Sequence, residues 1–287
     1  MGNIVWLASY PKSGNTWFRV FLTNLVSDSD EAASINKLER TPIASARGIF
    51  DSLTGIEASD LTFSEIDSIR PEVYQKLSDE SDETLFMKVH DAYTLLEDGK
   101  TPLFPAAASR GAIYFLRNPL DVAVSYAHHS GCSYDKAIAW INEDEHSFCG
   151  KPKRLHNQLR QKLLSWSSHP VSWCENPEIP VCLLRYEDMQ QNPVESFLKA
   201  VTFAGLDYGA KEVEKALALS SFEKLQEQER QEGFQEKSQS SDSFFRKGKI
   251  GSWREELTDE QAATIINDHR QTMRRFGYLD DNDVPVF

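Results

Sequence analysis

Cysteine is scarce. The 287 residues hold 4, at Cys132, Cys149, Cys174 and Cys182, with no C-x-x-C spacing and no pairing with histidines. That argues against a zinc site or a secreted disulfide framework, and for free thiols in a reducing cytosol, so the expected address is cytoplasmic. Positive charge is also short, with Lys plus Arg at 31 against 44 for Asp plus Glu, a formal net charge of -13. The mean field of such a chain repels nucleic acid and anionic membrane, and neither is expected as a partner. No apolar run approaches the roughly 18 residues of a membrane span. The amino-terminal stretch lacks the charged and apolar regions of a signal peptide. A myristoylation signal opening on Met1 and Gly2 would need Ser or Thr where Trp6 stands. Internal repeats and low-complexity tracts are missing too. What remains is an ordinary globular mixture, 40% hydrophobic, 11% aromatic and 26% charged. It is long enough for one large α/β domain or two small ones.

Short apolar runs alternate with helical patterns. Strands are predicted over 4–8, 85–90, 112–116 and 180–185. Helices are predicted over 15–26, 64–77, 119–130, 134–143, 155–173, 193–204, 210–219 and 258–276. This alternation implies an α/β fold, with a central parallel sheet flanked by helices in a single domain over 1–287. The stretch 226–243 is polar without apolar periodicity and reads as a mobile loop.

The first strand runs into Ser9, Tyr10, Pro11, Lys12, Ser13, Gly14, Asn15, Thr16 and Trp17. A tight turn that opens a helix directly off a buried strand aims several backbone N–H groups, and the helix dipole, at one spot. An anion, usually phosphate, is favoured there; the alternative is a turn that only caps a helix. Against the nucleotide pattern G-x-x-x-x-G-K-[ST], Gly14 holds the second glycine position, Asn15 the lysine position and Thr16 the last. The lysine has moved upstream to Lys12, which argues against a standard ATPase or GTPase.

Other candidates sit at strand ends and in one basic loop. Arg117 ends the third strand, where open α/β sheets bind ligands, and Ser125 lies two helical turns onward. An arginine fork beside a hydroxyl suits a dianion. The second strand puts Lys88 and His90 on one face at its carboxyl end, and a neighbouring ammonium favours the neutral imidazole a general base requires. His128 and His129 are the competing histidines, expected on the exposed side of a helix. Near the carboxyl end, Arg246, Lys247 and Lys249 surround Gly248 and precede Gly251, a cationic loop that allows close approach to a bound group. The third strand ends in Arg rather than the Asp that would hold magnesium, so no metal is expected, with Lys12, Arg117 and Lys247 as the neutralising charges.

The string from Tyr10 to Trp17 resembles the 5′-phosphosulfate loop of cytosolic-type sulfotransferases, in a bacterial-like form; these enzymes use 3′-phosphoadenosine 5′-phosphosulfate (PAPS) and release the bisphosphate PAP. The resemblance extends over most of the chain. It implies that Ser13, Gly14, Asn15, Thr16 and Trp17 hold the 5′-phosphate side, while Arg117 and Ser125 take the 3′-phosphate. Lys88-Val89-His90 resembles the family's Lys-x-His string, implying His90 as catalytic base, although Asp91-Ala92 replaces the usual Leu-Pro. Arg246, Lys247 and Gly248 match an R-K-G-x-x-G-x-W element that closes over the 3′-phosphate. Two weaker matches place Ser220 and Phe222 near adenine and Tyr186 at the nucleotide, with Phe222 or Trp17 stacking on the base.

The implied reaction is in-line sulfuryl transfer, catalysed mostly by positioning and electrostatics. In it His90 takes the acceptor proton, Lys12 stabilises the leaving bridging oxygen and Lys88 the equatorial oxygens. The acceptor reads as a small-molecule or carrier-tethered hydroxyl, or an amine; whether the chain is a monomer or a homodimer stays open. A small-molecule kinase using Mg-ATP is the alternative activity. The segment 226–253 is expected to be mobile in the free protein, its cations repelling one another until it covers the nucleotide.

Overall fold

The structure, a computed structural model, describes residues 2–27, 29–151, 154–175 and 178–287; Met1, where a myristoylation signal would begin, lies outside them. In chain order, β1 (Ile4–Ser9) is followed by α1 (Asn15–Val26), α2 (Arg47–Thr54), α3 (Phe63–Asp79) and β2 (Leu85–Val89). Next come β3 (Ser109–Leu116), α4 (Pro119–Ser130), α5 (Tyr134–Asn142), β4 (Ser147–Phe148), β5 (Gln161–Lys162) and α6 (Ser168–Cys174). The remainder is β6 (Val181–Arg185), α7 (Tyr186–Gln191), α8 (Pro193–Phe203), α9 (Ala210–Leu219), α10 (Phe222–Glu232) and α11 (Asp259–Arg275). The result is a single α/β domain whose central parallel sheet has the order β2-β1-β3-β6. Within it the chain forms two compact units, passing from one to the other after Tyr10, Glu39, Tyr114, Glu143 and Leu183.

The first unit is built on the sheet. Every residue of β1 is buried, and it pairs in parallel with β2 from Ile4 opposite Leu85 to Ala8 opposite Val89. The other edge of β2 is covered: Lys88 donates its N–H to the Pro42 carbonyl and accepts from Ala44 at 2.8 Å each. Trp6 makes edge contacts with Tyr74 and Phe104, and Phe104 packs on Trp173, so one aromatic cluster backs the strand. A capping box between Thr62 and Glu65 starts α3.

In the second unit, α4 starts where Asn118 caps the Leu120 N–H and Pro119 takes the first helical position, and it stops at Gly131 in the left-handed region. Phe18, Phe21, Phe115 and Phe197 pack ring against ring. A second cluster gathers Val20, Ile35, Leu38, Leu225, Phe234 and Phe245.

Two expectations need correction. The helix predicted over 155–173 forms only as α6, with Pro170 in its first turn, where the missing N–H is harmless. Upstream, Leu159 and Arg47 bond to the Ser45 and Asn157 carbonyls, so this stretch runs antiparallel to 45–47, and β5 pairs with β4. The stretch 226–243, read as a loop, begins inside α10. That helix buries only Leu225, which erases the apolar period; Phe234 and Phe245 then anchor the chain beyond it.

Candidate functional site

The turn after β1 is built to face an anion. Lys12 has φ 70 and Gly14 φ 99, the left-handed conformations that turn consecutive N–H groups the same way. For Lys12 this costs of order 1–3 kcal/mol, a strain typical of functional turns. A Cβ on Gly14 would lie 2.8 Å from Tyr186 Cδ2, so both φ and space require glycine. No side chain caps the amino end of α1. The Ser13 hydroxyl is buried and has no hydrogen-bond partner among the described residues. A buried unsatisfied hydroxyl is costly, and beside an uncapped helix amino terminus it fits a phosphate oxygen. Asn15 and Thr16 are buried alongside, and the Lys12 ammonium sits 3.9 Å from the Phe244 ring centroid.

Arg117 ties the pieces of this unit together. One guanidinium nitrogen donates to the Lys12 carbonyl at 3.1 Å, another to the Lys249 carbonyl at 3.3 Å, and the group stacks 4.3 Å from the Tyr186 ring centroid. Tyr186 donates its hydroxyl to the Gly248 carbonyl at 3.1 Å, and Gln190 supports both. Gly248 has φ 60, and a Cβ there would strike the Phe222 ring at 2.5 Å. Thus the structure brings Lys12, Arg117, Tyr186, Phe222, Gly248 and Lys249 together. Ser125 is half-buried on α4. Ser220 behaves differently from expectation: its hydroxyl is fully buried and donates to the Ala216 carbonyl at 2.7 Å, while its carbonyl accepts the Trp17 indole N–H at 3.0 Å. It therefore supports Trp17 rather than offering a hydroxyl of its own.

The basic loop also departs from the reading of mutually repelling cations. Glu256 accepts from Lys247 at 2.8 Å, Arg246 at 2.9 Å and Tyr134 at 2.6 Å, with His128 Nε2 at 2.8 Å. Burial would raise the Glu256 pKa, but these hydrogen bonds hold it well below the usual carboxylate range. Further upstream, Arg19 grips Glu236 at 2.7 Å, and Glu229 accepts the Phe244 and Phe245 N–H groups. Asp121 caps the turn at Gly251, Ser252 and Trp253. Glu256, Phe244, Glu236 and Asp121 were missed at the sequence level. The acidic pair Glu255-Glu256 shortly after the basic cluster was the available signal.

In the first unit, β2 delivers Lys88, which is buried, and then His90. His90 Nδ1 lies 2.8 Å from the Ser9 carbonyl and 3.2 Å from its hydroxyl. A carbonyl only accepts, so Nδ1 carries a proton, and in the neutral ring the lone pair is then on Nε2. Of the competing histidines, His128 is exposed and engaged with Glu256. Asp91, standing where the family pattern has Leu, is fully buried and takes both arms of Arg70 at 2.9 and 3.0 Å. Burial raises its pKa and the Arg70 charge opposes that. Among the described residues no cluster of three or more His, Cys, Asp or Glu is arranged to hold a metal, and no helix is long and apolar enough to cross a membrane.

Cytosolic sulfotransferase 17 of Arabidopsis thaliana is 26% identical over 290 residues, covering 96% of this chain and 76% of its own length. Flavonol 3-sulfotransferase of Flaveria bidentis is 27% identical, covering 92% and 79%. The crystal structure of mouse sulfotransferase SULT7A1 complexed with PAP superposes with TM-score 0.59 at 20% identity, over 95% of this chain and 84% of that one. The profile described as "Sulfotransferase domain" matches residues 3–277, and the chain belongs to the sulfotransferase family.

Proposed function

We propose that this sulfotransferase takes its sulfuryl group from PAPS and delivers it to a small-molecule hydroxyl, with His90 as the base. The observation that carries the donor assignment is the buried Ser13 hydroxyl beside the uncapped amino end of α1. PAP in the mouse structure supports it. When bound, PAPS supplies an activated sulfuryl group on a good leaving phosphate. The turn amides, Ser13 and Thr16 grip the 5′-phosphate side, and Lys12 neutralises charge on the bridging oxygen. Arg117, Ser125, Arg246, Lys247 and the Gly248 amide receive the 3′-phosphate, and Trp17 and Phe222 offer ring faces for adenine. His90 Nε2 accepts the acceptor proton, and Lys88 supplies positive charge for the sulfuryl oxygens. Membership in the family disfavours the Mg-ATP kinase reading.

The Flaveria relative, named for a flavonol, supports phenols as the first acceptors to try, with amines and carrier-tethered hydroxyls in the same panel. The cytosolic name of the Arabidopsis relative supports a cytoplasmic address. A homodimer is the accompanying assembly reading, checked by light scattering.

Thermal shift tests the donor. PAP without metal, at about a hundred times its Kd, is expected to stabilise the protein by about 2.7 kcal/mol, and Mg-ATP to do little. A preference for Mg-ATP overturns the proposal. Lys12→Ala is expected to weaken both PAP binding and turnover, whereas His90→Ala loses turnover and keeps PAP.

A further inference from the structure

One histidine outside the motifs is completely buried. His169, on α6, has 0% exposure, and both its ring nitrogens are engaged. Its Nε2 lies 3.0 Å from the His90 carbonyl and its Nδ1 lies 2.7 Å from the Tyr114 hydroxyl. The proton positions follow from what each partner can do. The His90 carbonyl only accepts, so His169 Nε2 carries the hydrogen. His169 Nδ1 is then an acceptor, and the Tyr114 hydroxyl donates to it. The Tyr114 oxygen in turn takes a backbone hydrogen bond from the Tyr10 N–H. That N–H belongs to the same peptide group whose carbonyl, on Ser9, accepts the His90 Nδ1–H at 2.8 Å.

The geometry points to a closed hydrogen-bonded ring through the Ser9–Tyr10 peptide group, Tyr114, His169 and His90, in which Tyr114 and His169 are positioning residues that hold the His90 Nε2 lone pair toward the acceptor. This rests on the reading of His90 as the base. Every link has its donor and acceptor fixed, so the tautomers of both histidines are set together. Burial pushes the His169 pKa down to about 4, which keeps it neutral and the ring intact at neutral pH. Tyr10 also packs edge-on against the His169 ring at 5.5 Å between centroids. The ring thus fixes His90 to the Ser9–Tyr10 peptide at the end of β1.

Tyr114→Phe keeps the aromatic packing and deletes one link. The expected result is a fall in kcat of about tenfold, with 2-naphthol as acceptor, while KM for PAPS stays within about twofold. Nitrogen NMR of the imidazoles should show His169 losing its single Nε2–H tautomer and the His90 signals moving. In case Tyr114→Phe folds poorly, His169→Gln, whose amide can still donate to the His90 carbonyl, is expected to keep more activity per folded molecule than His169→Ala. Unchanged kcat and unmoved His90 signals in Tyr114→Phe would overturn the positioning role, as would equal activity of the Gln and Ala variants. His90→Ala at wild-type turnover would remove the base reading only; the ring would then stand or fall on the His90 nitrogen signals in Tyr114→Phe.

Discussion

Lowering the pH from about 7.5 to about 5.0 probes the buried imidazole of His169 without changing a single residue. Its folded pKa is about 4 because burial disfavours the charged form, against 6.5 for an exposed histidine. The sign follows from linkage: below 6.5 the unfolded chain binds a proton that the folded chain refuses, so stability falls with pH down to about 4. At pH 5 the unfolded histidine is almost fully protonated and the folded one about a tenth protonated. The difference in binding terms costs about 2 kcal/mol, and almost nothing at pH 7.5. With an unfolding entropy of about 2.1 cal/mol/K per residue, a chain of this size should lose about 3 °C in Tm from this residue alone. Tyr10 and Tyr114, packed on the His169 ring, do not titrate in that window, because burial pushes their pKa values up. Urea unfolding at both pH values, for wild type and His169→Gln, isolates the effect. The wild type should lose about 2 kcal/mol more than the variant over this interval. Parallel pH dependence in the two proteins would refute a neutral buried His169.

Two further outcomes are expected. Arg70→Met leaves Asp91 buried without its partner and should cost about 3–5 kcal/mol in urea unfolding, most of it returning in the Arg70→Met/Asp91→Leu double variant; a single variant within 1 kcal/mol of wild type would contradict the pairing. Glu256→Gln removes a negative charge that holds Arg246 and Lys247. PAP should then bind several-fold tighter at low salt by calorimetry, with the gain shrinking as salt screens the site; weaker binding at low salt would show that Glu256 arranges the cations rather than competing for them.

Local signals explain which elements were legible. The helices at 15–26, 119–130 and 210–219 have the bounds the sequence implied, α4 because Asn118, Pro119 and Gly131 mark its two ends. Where tertiary contacts decide, the reading failed. The apolar spacing over 155–173 looked helical, yet pairing with 45–47 and the position of Pro170 restrict the helix to α6. Helix α10 is polar nearly all round, so periodicity had nothing to report. The site divides the same way. Lys12, Gly14, Arg117, Tyr186 and Gly248 are contiguous with strand ends or glycine turns, where chemistry and local geometry coincide. His169 stands 79 positions from His90 and 55 from Tyr114, and no spacing rule links them.

In the carboxyl-terminal loop the cations are plain in the sequence, but the conformation that holds them is not. By composition Arg246, Lys247 and Lys249 suggest an anion site, and composition also suggested a loop held open by its own charge. That inference counted cations only along the chain. In three dimensions Glu256 lies against Arg246 and Lys247, Phe244 against Lys12, and Glu236 against Arg19 on α1. On the proposed reading, phosphate recognition by Arg246 and Lys247 would therefore exchange one anionic partner for another. An exchange sets affinity by a difference between two charge-assisted contacts, which is smaller than either and more selective for a dianion than for a single carboxylate-like charge. An acidic protein with one basic pocket needs such a counter-charge close by, and Glu256, ten residues after Arg246, provides it.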